Sequence, residues 1–394
     1  MKLIFFAIVI LLFILSCSPS KDQQIPEREN TISPVTEKSE IKSEFGPADN
    51  YKKITKMEVP KFTKGLYLNA YTVATDKFHS ILDSAEVSGI NTIIFDLKNM
   101  NGHIFFSIPQ KDTIRQKKIL PIIKIPEVVK TIHHREMRAV ARIVMFHDQF
   151  LAEKDTLLRP TTRKGKVWQE SKKKAAWLDP SNPVVQKELL NIIEMAARNG
   201  VDEIQMDYVR FPTQGKLSDA VFYFQTEDST KAVLDSNYVF REKYNIIENF
   251  INKARTISRK FDVNLTADVF AIVAWQNRND IKNTGQDIAR MTKHLDAIHP
   301  MIYSSHFADN FGYRKNVPNE PYHVVYSGTS RAQKYSRCKV IPYIQANDWK
   351  VNYGQEYIYA QIKAVENTSS DGYILWNASN KYYKTLSWIR QYSD

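Results

Sequence analysis

The stretch VDEIQMDYVRFP, residues 201–212, decides how this chain folds. Its apolar residues alternate with Gln205 and Asp207, which is the period of a β-strand. A helical pattern ends at Gly200 just before it, and Pro212 ends the strand. The stretch therefore predicts a short buried strand that carries Asp207 near its carboxyl end. In α/β proteins, ligands bind at that end of the strands.

Eight strand candidates of this kind lie along the chain. Most are rich in Ile, Val and Phe and apolar on both faces, as buried parallel strands are. They are Gly65–Tyr71, Thr92–Lys98, Ala139–Phe146, Glu203–Val209, Asn264–Val269, Ala297–Tyr303, Val340–Gln345 and Tyr373–Asn377.

Helical patterns lie between most of these strands. The clearest are Asp76–Ser88, a helix that opens at Asn182-Pro183, Tyr238–Lys260, Asp287–His294 and Gln355–Glu366. Alternation of strands and helices predicts an α/β fold with a parallel sheet, and eight strands indicate a (β/α)₈ TIM barrel. A doubly wound sheet is the alternative, but the sequence has neither common type of Gly-rich phosphate loop.

The amino-terminal residues have the pattern of an export signal. Lys2 precedes an apolar run over residues 3–15, which is shorter than the roughly 20 residues that span a membrane. Residues 14–17, Ile-Leu-Ser-Cys, resemble the lipobox of bacterial lipoproteins. We therefore expect a signal peptide over residues 1–16 and a lipid on Cys17; an ordinary signal peptide or an uncleaved anchor is the alternative.

The region after Cys17 divides into a polar segment and a long domain. Residues 17–60 are rich in Lys, Glu, Ser and Pro and predict a disordered tether. Residues 61–394 are long enough for the barrel. Together these features predict an exported protein that is lipid-anchored in the bacterial cell envelope, either periplasmic or at the cell surface.

The chain is basic, with a formal net charge of +12. Such a charge favours polyanions or anionic surfaces, but here it is spread along the chain, as on an ordinary solvated surface. The chain has no nucleic-acid-binding motif, so we expect no nucleic-acid partner, and we expect a monomer.

Two long loops, residues 147–181 and 213–237, follow the third and fourth strands. The first has a basic tract over residues 159–174, which either grips an anionic substrate or is solvated.

Polar residues gather where the predicted strands end. Asp268 occupies on the fifth strand a position like that of Asp207 on the fourth. Polar side chains inside an apolar strand are costly unless they are paired. Two interpretations meet that cost: a structural network of Asp207, Arg142, Lys98 and Asp268, or a carboxylate pair that flanks a bond to be broken.

Two carboxylates beside Trp and Tyr residues fit glycoside hydrolysis. One acid gives its proton to the leaving oxygen, while the other carboxylate attacks the anomeric carbon or activates water. A nearby cation would lower the pKa of one group, and burial would raise that of the other. Trp376 either offers a platform for a sugar ring or packs at the barrel rim. With Asp207 and Asp268 as the catalytic pair, the substrate-binding candidates are Tyr67, Asp96, Lys98, Arg142, Gln205, Arg210, His299, Tyr303, Gln345 and Trp376.

Six segments resemble, in the same order, the bacterial putative glycosyl hydrolase domain family. They are KGLY (64–67), FDLK (95–98), WLDP (177–180), QMDYVRFP (205–212), TADVF (266–270) and HPMIY (299–303). The resemblance spans about residues 61–380 and implies a (β/α)₈ barrel that hydrolyses glycans. The placement of carboxylates after strands four and five also resembles that in the α-amylase clan, where the two carboxylates act as nucleophile and acid. The acid in that clan is usually Glu, whereas this chain has Asp268 at the corresponding place.

Other chemistries find less support in the sequence. When the chitinase pattern is laid over residues 202–209, this chain has Val209 at the position of the catalytic Glu. The nine histidines show neither the His-Glu-x-x-His spacing nor the Cys partners of a zinc site, so we expect no metal and no cofactor. The sequence favours hydrolysis of an envelope or extracellular polysaccharide. The alternative is a non-catalytic glycan-binding or envelope-assembly lipoprotein with a degenerate barrel site.

Overall fold

The structure is a computed structural model that describes residues 55–171 and 175–393. The signal peptide, Cys17 and most of the tether fall outside the described residues, so what the sequence predicts for them stays a prediction. Within the described ranges, none of the helices has the length and apolar character needed to cross a membrane.

Nine parallel strands form the main sheet. They are β1 (Thr63–Leu68), β2 (Thr92–Lys98), β3 (Arg138–Val144), β4 (Glu203–Asp207), β5 (Asn264–Val269), β6 (Ala297–Pro300), β7 (Lys339–Val340), β8 (Tyr343–Gln345) and β9 (Gly372–Trp376). Their order in the sheet is β8-β9-β1-β2-β3-β4-β5-β6-β7.

The two edges of this sheet are pieces of one segment. Only Ile341 and Pro342 separate β7 from β8. β7 pairs with β6, and a parallel bridge between Met301 and Tyr343 continues that contact. The sheet therefore curls round on itself as eight strand segments. This confirms the predicted (β/α)₈ barrel and removes the doubly wound alternative.

Helices lie between the strands. The α-helices of the described residues are α1 (Ala70–Val73), α2 (Lys77–Glu86), α3 (Thr113–Gln116), α4 (Ile125–His133), α5 (Gln149–Lys154), α6 (Pro183–Arg198), α7 (Tyr223–Leu234), α8 (Lys243–Lys260), α9 (Arg278–Thr284), α10 (Ile288–Met291), α11 (Pro321–Tyr335), α12 (Gln355–Glu366) and α13 (Tyr383–Ser393). The predicted opening of α6 is confirmed: the Asn182 side chain accepts hydrogen bonds from the backbone N–H groups of Val184 and Val185.

The two long loops are partly ordered. The first contains α5 and a 3₁₀ turn over Thr156–Leu158, and the second contains α7. A two-stranded antiparallel ribbon, Thr161–Thr162 with Ala220–Val221, joins them.

The end of the predicted tether lies against the amino-terminal end of the barrel. The Met57 N–H donates to Asp202 at 2.9 Å, and Arg138 donates to the Met57 carbonyl at 2.7 Å. A cavity of about 220 Å³ lies at this end, and Val59, Arg138, Glu203 and other residues line it. Glu203 accepts hydrogen bonds there from Arg138 at 3.1 Å and from Thr266 at 2.9 Å.

Candidate active site

A larger cavity, of about 820 Å³, opens at the carboxyl-terminal end of the barrel. Its floor is built by four charged residues from four adjacent strands: Asp96 on β2, Arg142 on β3, Asp207 on β4 and Asp268 on β5. Side-chain alternation along each strand turns these residues towards the barrel interior. The wall is largely aromatic and apolar, with Tyr67, Tyr208, Phe270, Met301, Tyr303, Phe307, Phe311, Tyr343 and Trp376.

Arg142 holds the charged residues of the floor together. The sheet register places Asp96 opposite it, and Arg142 Nη1 donates to Asp96 Oδ1 at 2.5 Å. Its Nε donates to Asp207 Oδ2 at 3.1 Å, and its Nη2 donates to the same oxygen. The other oxygen of Asp96 accepts a 2.7 Å hydrogen bond from the Tyr67 hydroxyl. Asp96 and Asp207 thus share one guanidinium.

Asp207 is the last residue of β4, and the chain turns sharply after it. Tyr208 has a φ of 50°, which is uncommon for a residue with a side chain of this size. The turn brings the Tyr208 N–H to Asp207 Oδ1 at 2.6 Å. With Arg142 on the other oxygen, both oxygens of the Asp207 carboxylate accept hydrogen bonds, which fix its orientation.

Asp268 has different surroundings, although it belongs to the same floor. Its Oδ1 accepts a 2.7 Å hydrogen bond from Gln205, but its buried Oδ2 has no hydrogen-bond partner among the described residues. The nearest cation is Arg142, whose Nε is 3.9 Å from that oxygen. Burial and the neighbouring Asp207 raise the pKa of Asp268 well above its ordinary value. Asp268 is therefore the floor carboxyl best suited to carry a proton.

A group of aromatic rings lines the wall opposite Asp207. Trp376 stacks on Tyr67 with a centroid distance of 4.1 Å, and Tyr303 lies 6.2 Å from it at a similar tilt. One face of Trp376 is thus covered by Tyr67, so the residue packs at the rim while it also lines the cavity. Burial raises the pKa values of Tyr67, Tyr303 and Tyr343 well above their ordinary value, which keeps their hydroxyls neutral donors.

Gln345 lies in a smaller cavity of about 340 Å³ that adjoins the main one. Tyr303, His306 and Trp376 line both spaces. The Gln345 amide donates to the Trp349 carbonyl at 3.0 Å and so fixes the loop after β8.

Four of the predicted substrate-binding residues do not line the main cavity: Gln345, which lines the adjoining cavity, and Lys98, Gln205 and His299. Lys98 is 1% exposed; it donates to the Val144 carbonyl at 3.0 Å and forms an ion pair with Asp148 at 3.1 Å. A register shift between Asp96 and Lys98 turns it away from the face that strict alternation predicts. The prediction for Lys98 as a substrate contact, and as a member of the barrel-centre network, was wrong, and Asp96 takes its place beside Arg142.

Gln205 and His299 lie below the cavity. Gln205 bonds Asp268 from beneath and also donates to the Tyr343 hydroxyl at 2.7 Å. His299 lines the amino-terminal cavity, where its Nε2 is 3.7 Å from Glu203 Oε1. Both face the barrel interior but at lower levels than Asp207, so we correct the prediction that they meet substrate at the mouth. The other substrate-binding candidates, Tyr67, Asp96, Arg142, Arg210, Tyr303 and Trp376, line the main cavity.

Several lining residues were not predicted from the sequence. Tyr343 lies inside the seventh predicted strand, where inward alternation could have identified it. Phe307 and Phe311 come from irregular turns after β6, where no periodicity marks them.

As for metals, the described ranges contain no group of three or more His, Cys, Asp or Glu residues arranged to hold an ion.

The fold and the floor define a class of (β/α)₈ barrel proteins with carboxylates at the carboxyl ends of adjacent strands. Residues 65–382 match the model of the putative glycosyl hydrolase domain family. The chain belongs to this family, as the resemblance of its motifs predicted.

Three solved structures illustrate the likeness of fold. The glycoside hydrolase domain of PgaB (BpsB) from Bordetella bronchiseptica is similar with a TM-score of 0.60 and 11% identity, over 84% of this chain and 98% of that one. The catalytic domain of β-amylase from Paenibacillus polymyxa has a TM-score of 0.55 and 12% identity, over 84% and 97%. β-Galactosidase from the psychrophilic Marinomonas ef1 has a TM-score of 0.57 and 8% identity, over 84% and 59%. A comparison with curated proteins gave no match.

Proposed function

We propose that this domain hydrolyses glycosidic bonds in an envelope or extracellular polysaccharide, with Asp268 as general acid and Asp207 as the ionised partner. The observation that carries the proposal is the contrast between these two carboxyl groups on the floor of one cavity. Asp207 accepts hydrogen bonds on both oxygens, whereas Asp268 keeps one oxygen without a partner among the described residues. Glycoside hydrolysis needs such a pair, one group ionised and the other protonated.

The proton would come from Asp268. Its O–H donates to the glycosidic oxygen as the bond between that oxygen and the anomeric carbon breaks, and Asp268 becomes a carboxylate. Gln205 Nε2, at 2.7 Å from Oδ1, would stabilise that carboxylate as it forms. Water then completes the hydrolysis, and its proton restores the acid.

Asp207 would supply the second function, either by attacking the anomeric carbon or by activating water. Its Oδ2 and Asp268 Oδ2 are 3.1 Å and 3.9 Å from the same Arg142 nitrogen. The two oxygens are therefore within about 7 Å of each other, a limit that admits both retaining and inverting geometry.

The activity is tested by incubating the full chain with a panel of envelope and extracellular polysaccharides and measuring released reducing ends. We expect Asp268→Asn and Asp207→Asn each to lower turnover by about 10²–10⁴-fold, the usual contribution of a positioned acid or base. Asp83→Asn, on the exposed face of α2, is the matched control and should keep full turnover. Full turnover in Asp268→Asn would overturn its assignment as the acid.

A non-catalytic glycan-binding or envelope-assembly protein is the second candidate, and one observation favours it. The pairing of Asp96 and Asp207 with Arg142 also satisfies buried charges inside the barrel, which is a structural role. Glycan binding that survives both Asp→Asn substitutions, in a protein that turns over no substrate, would decide for this candidate.

The cellular address is a proposal that rests on the amino-terminal sequence alone. We infer export and a lipid on Cys17, with the protein held at a membrane of the cell envelope. Cell fractionation should find the wild-type chain with membranes and Cys17→Ser released from them. Mass spectrometry that shows an unmodified Cys17 in the mature protein would refute the lipid.

A further inference from the structure

Arg210 is a second guanidinium in the main cavity. It lies three residues after Asp207, lines the cavity and is only 8% exposed. Unlike Arg142, it forms no ion pair with a carboxylate of the described residues. A buried cation without an opposite charge is costly, so its position calls for an explanation beyond packing.

Three aromatic rings hold this guanidinium in place. Its Cζ is 4.7 Å from the ring centroids of Trp177 and Phe270 and 5.4 Å from that of Tyr208. The electron-rich faces of these rings attract the cation and offset part of the cost of its burial. The rings also limit its motion, so Arg210 presents a fixed arrangement of donors.

Only one side of the Arg210 guanidinium is used within the protein. Nη1 donates to the Phe211 carbonyl at 3.0 Å and lies 3.5 Å from the Thr213 hydroxyl. Nε and Nη2 form no hydrogen bond with a described residue, and neither atom is fully enclosed by the protein. The edge formed by these two nitrogens is thus open to the cavity, and such an edge matches the two oxygens of a carboxylate.

Arg142 shows what a fully compensated guanidinium looks like in the same cavity. Burial lowers its pKa, but Asp96 and Asp207 more than offset that effect and hold the pKa well above its ordinary value. At Arg210 burial lowers the pKa, and Tyr208 and Asp207 only partly offset it. Arg142 has no free edge for a ligand, whereas Arg210 has both a free edge and an uncompensated charge.

We propose that Arg210 and its aromatic cage form a recognition site for an anionic substituent on the bound glycan, namely the carboxylate of a uronic acid. This rests on the proposed function in that it takes the ligand to be a glycan. A sulfate ester also presents two oxygens to such an edge, so the binding experiment compares the two groups. The formal net charge of +12 favours association of the chain with such a polyanion, without directing it to the cavity.

The test is a binding measurement by calorimetry, made on the full chain carrying Asp268→Asn so that ligand is not consumed. The probes are oligosaccharides of one length in three forms: uronic acid, sulfated and neutral. We expect the uronic acid form to bind at least about tenfold more tightly than the neutral form, a difference typical of one charged hydrogen-bonded pair. The double variant with Arg210→Met should lose that preference, and the double variant with Arg210→Lys should keep part of it.

Arg390→Met serves as the matched control, because it removes the same charge from the exposed surface of α13. It should leave the preference intact, which separates a specific contact from attraction by net charge. Equal binding of the uronic acid and neutral forms, or a preference that survives Arg210→Met, would overturn the proposal. Tighter binding of the sulfated form would replace carboxylate by sulfate as the recognised group.

The outcome is separable from that of the proposed function. Hydrolysis of neutral glycans without a charge preference would support the glycoside hydrolase and refute the role of Arg210. If the wild-type chain turns over no glycan but shows a preference for uronic acid that depends on Arg210, the role of Arg210 is supported and the glycoside hydrolase is refuted. Thermal unfolding of each variant checks that a loss of binding does not come from loss of fold.

Discussion

Glu203 and Asp268 lie inside the same barrel, one at each end, and their carboxyl groups have opposite surroundings. Burial would raise the pKa of Glu203, but His299, Arg138 and Thr266 stabilise its carboxylate and hold the pKa at about 2. Burial and Asp207 instead raise the pKa of Asp268 well above its ordinary value. Both groups are enclosed, so burial alone does not distinguish them.

The difference lies in which charged groups lack a partner beside a cavity. At the amino-terminal end, Asp202 accepts hydrogen bonds from the backbone N–H groups of Met57 and Ala139, and the cavity is about 220 Å³. At the carboxyl-terminal end, Asp268 Oδ2 and the outer edge of Arg210 are unpaired among the described residues, and the cavity is about 820 Å³. Charges whose partners are supplied by the protein stabilise the barrel, whereas charges that still need a partner indicate a site for a ligand.

The largest expected effect is that of Arg142→Met, since it would break the pairing at the cavity floor. It leaves Asp96 and Asp207 buried without their cation, which should cost about 3–5 kcal/mol of unfolding free energy. Chemical denaturation measures this, and the loss should shrink at low pH, because burial raises the pKa of Asp96 and its carboxyl becomes protonated there. Arg210→Met is the control, since no carboxylate depends on it; an equal loss there would contradict the distinction between the two arginines.

Glu203→Gln tests the amino-terminal end, with a smaller expected loss of about 2–4 kcal/mol because the amide keeps an acceptor for Arg138. The folded pKa of Glu203 lies below its ordinary value of 4.5, so its contribution is present above that pH. It is lost as the pH falls from about 4.5 towards 2. Stability curves of wild type and variant should therefore converge at acid pH, and glycan turnover at neutral pH should persist in the variant. Curves that stay parallel down to pH 2 would contradict the pairing of Glu203.

Asp268→Asn should have the smallest effect on stability, within about 1 kcal/mol, because the group that it removes is poorly compensated. The folded pKa of Asp268 is raised, so the wild type should lose stability relative to this variant as the pH rises through that pKa. Turnover by the wild type should fall over the same rise in pH, since the acid loses its proton. A large loss of stability at neutral pH would mean that Asp268 is a structural carboxylate like Glu203.

Much of the barrel follows from the local sequence. The bounds of β2 and β5 agree with the prediction to the residue, because each is an apolar run between polar turns. The sixth predicted strand extended to Tyr303, but β6 ends at Pro300, and the seventh is interrupted at Pro342 because proline has no N–H for the ladder. Helices α4, α7, α11 and α13 were not predicted.

The sequence predicted which carboxylates face the barrel interior, but not the depth at which each polar side chain lies in the barrel. Alternation correctly turned Asp96, Asp207 and Asp268 inward. It could not reveal the register shift that redirects Lys98, nor the depth at which His299 lies, because both depend on the stagger between strands rather than on one strand's sequence. The open edge of Arg210 depends on rings from three separate segments, so spacing along the chain gives no signal for it.

The seam at which the barrel closes has a consequence for its motions. β6 and β7 share two register pairs, against six for β2 and β3, and a single bridge at Tyr343 continues the contact. Backbone amides along this seam should exchange with solvent deuterium sooner than those of β2 and β3, because fewer bonds must open together. Tyr303 and Tyr343 line the cavity beside the seam. We therefore expect the aromatic wall to yield to a bulky ligand before Arg142 and Asp207 move, because these two lie on the more extensively paired strands β3 and β4.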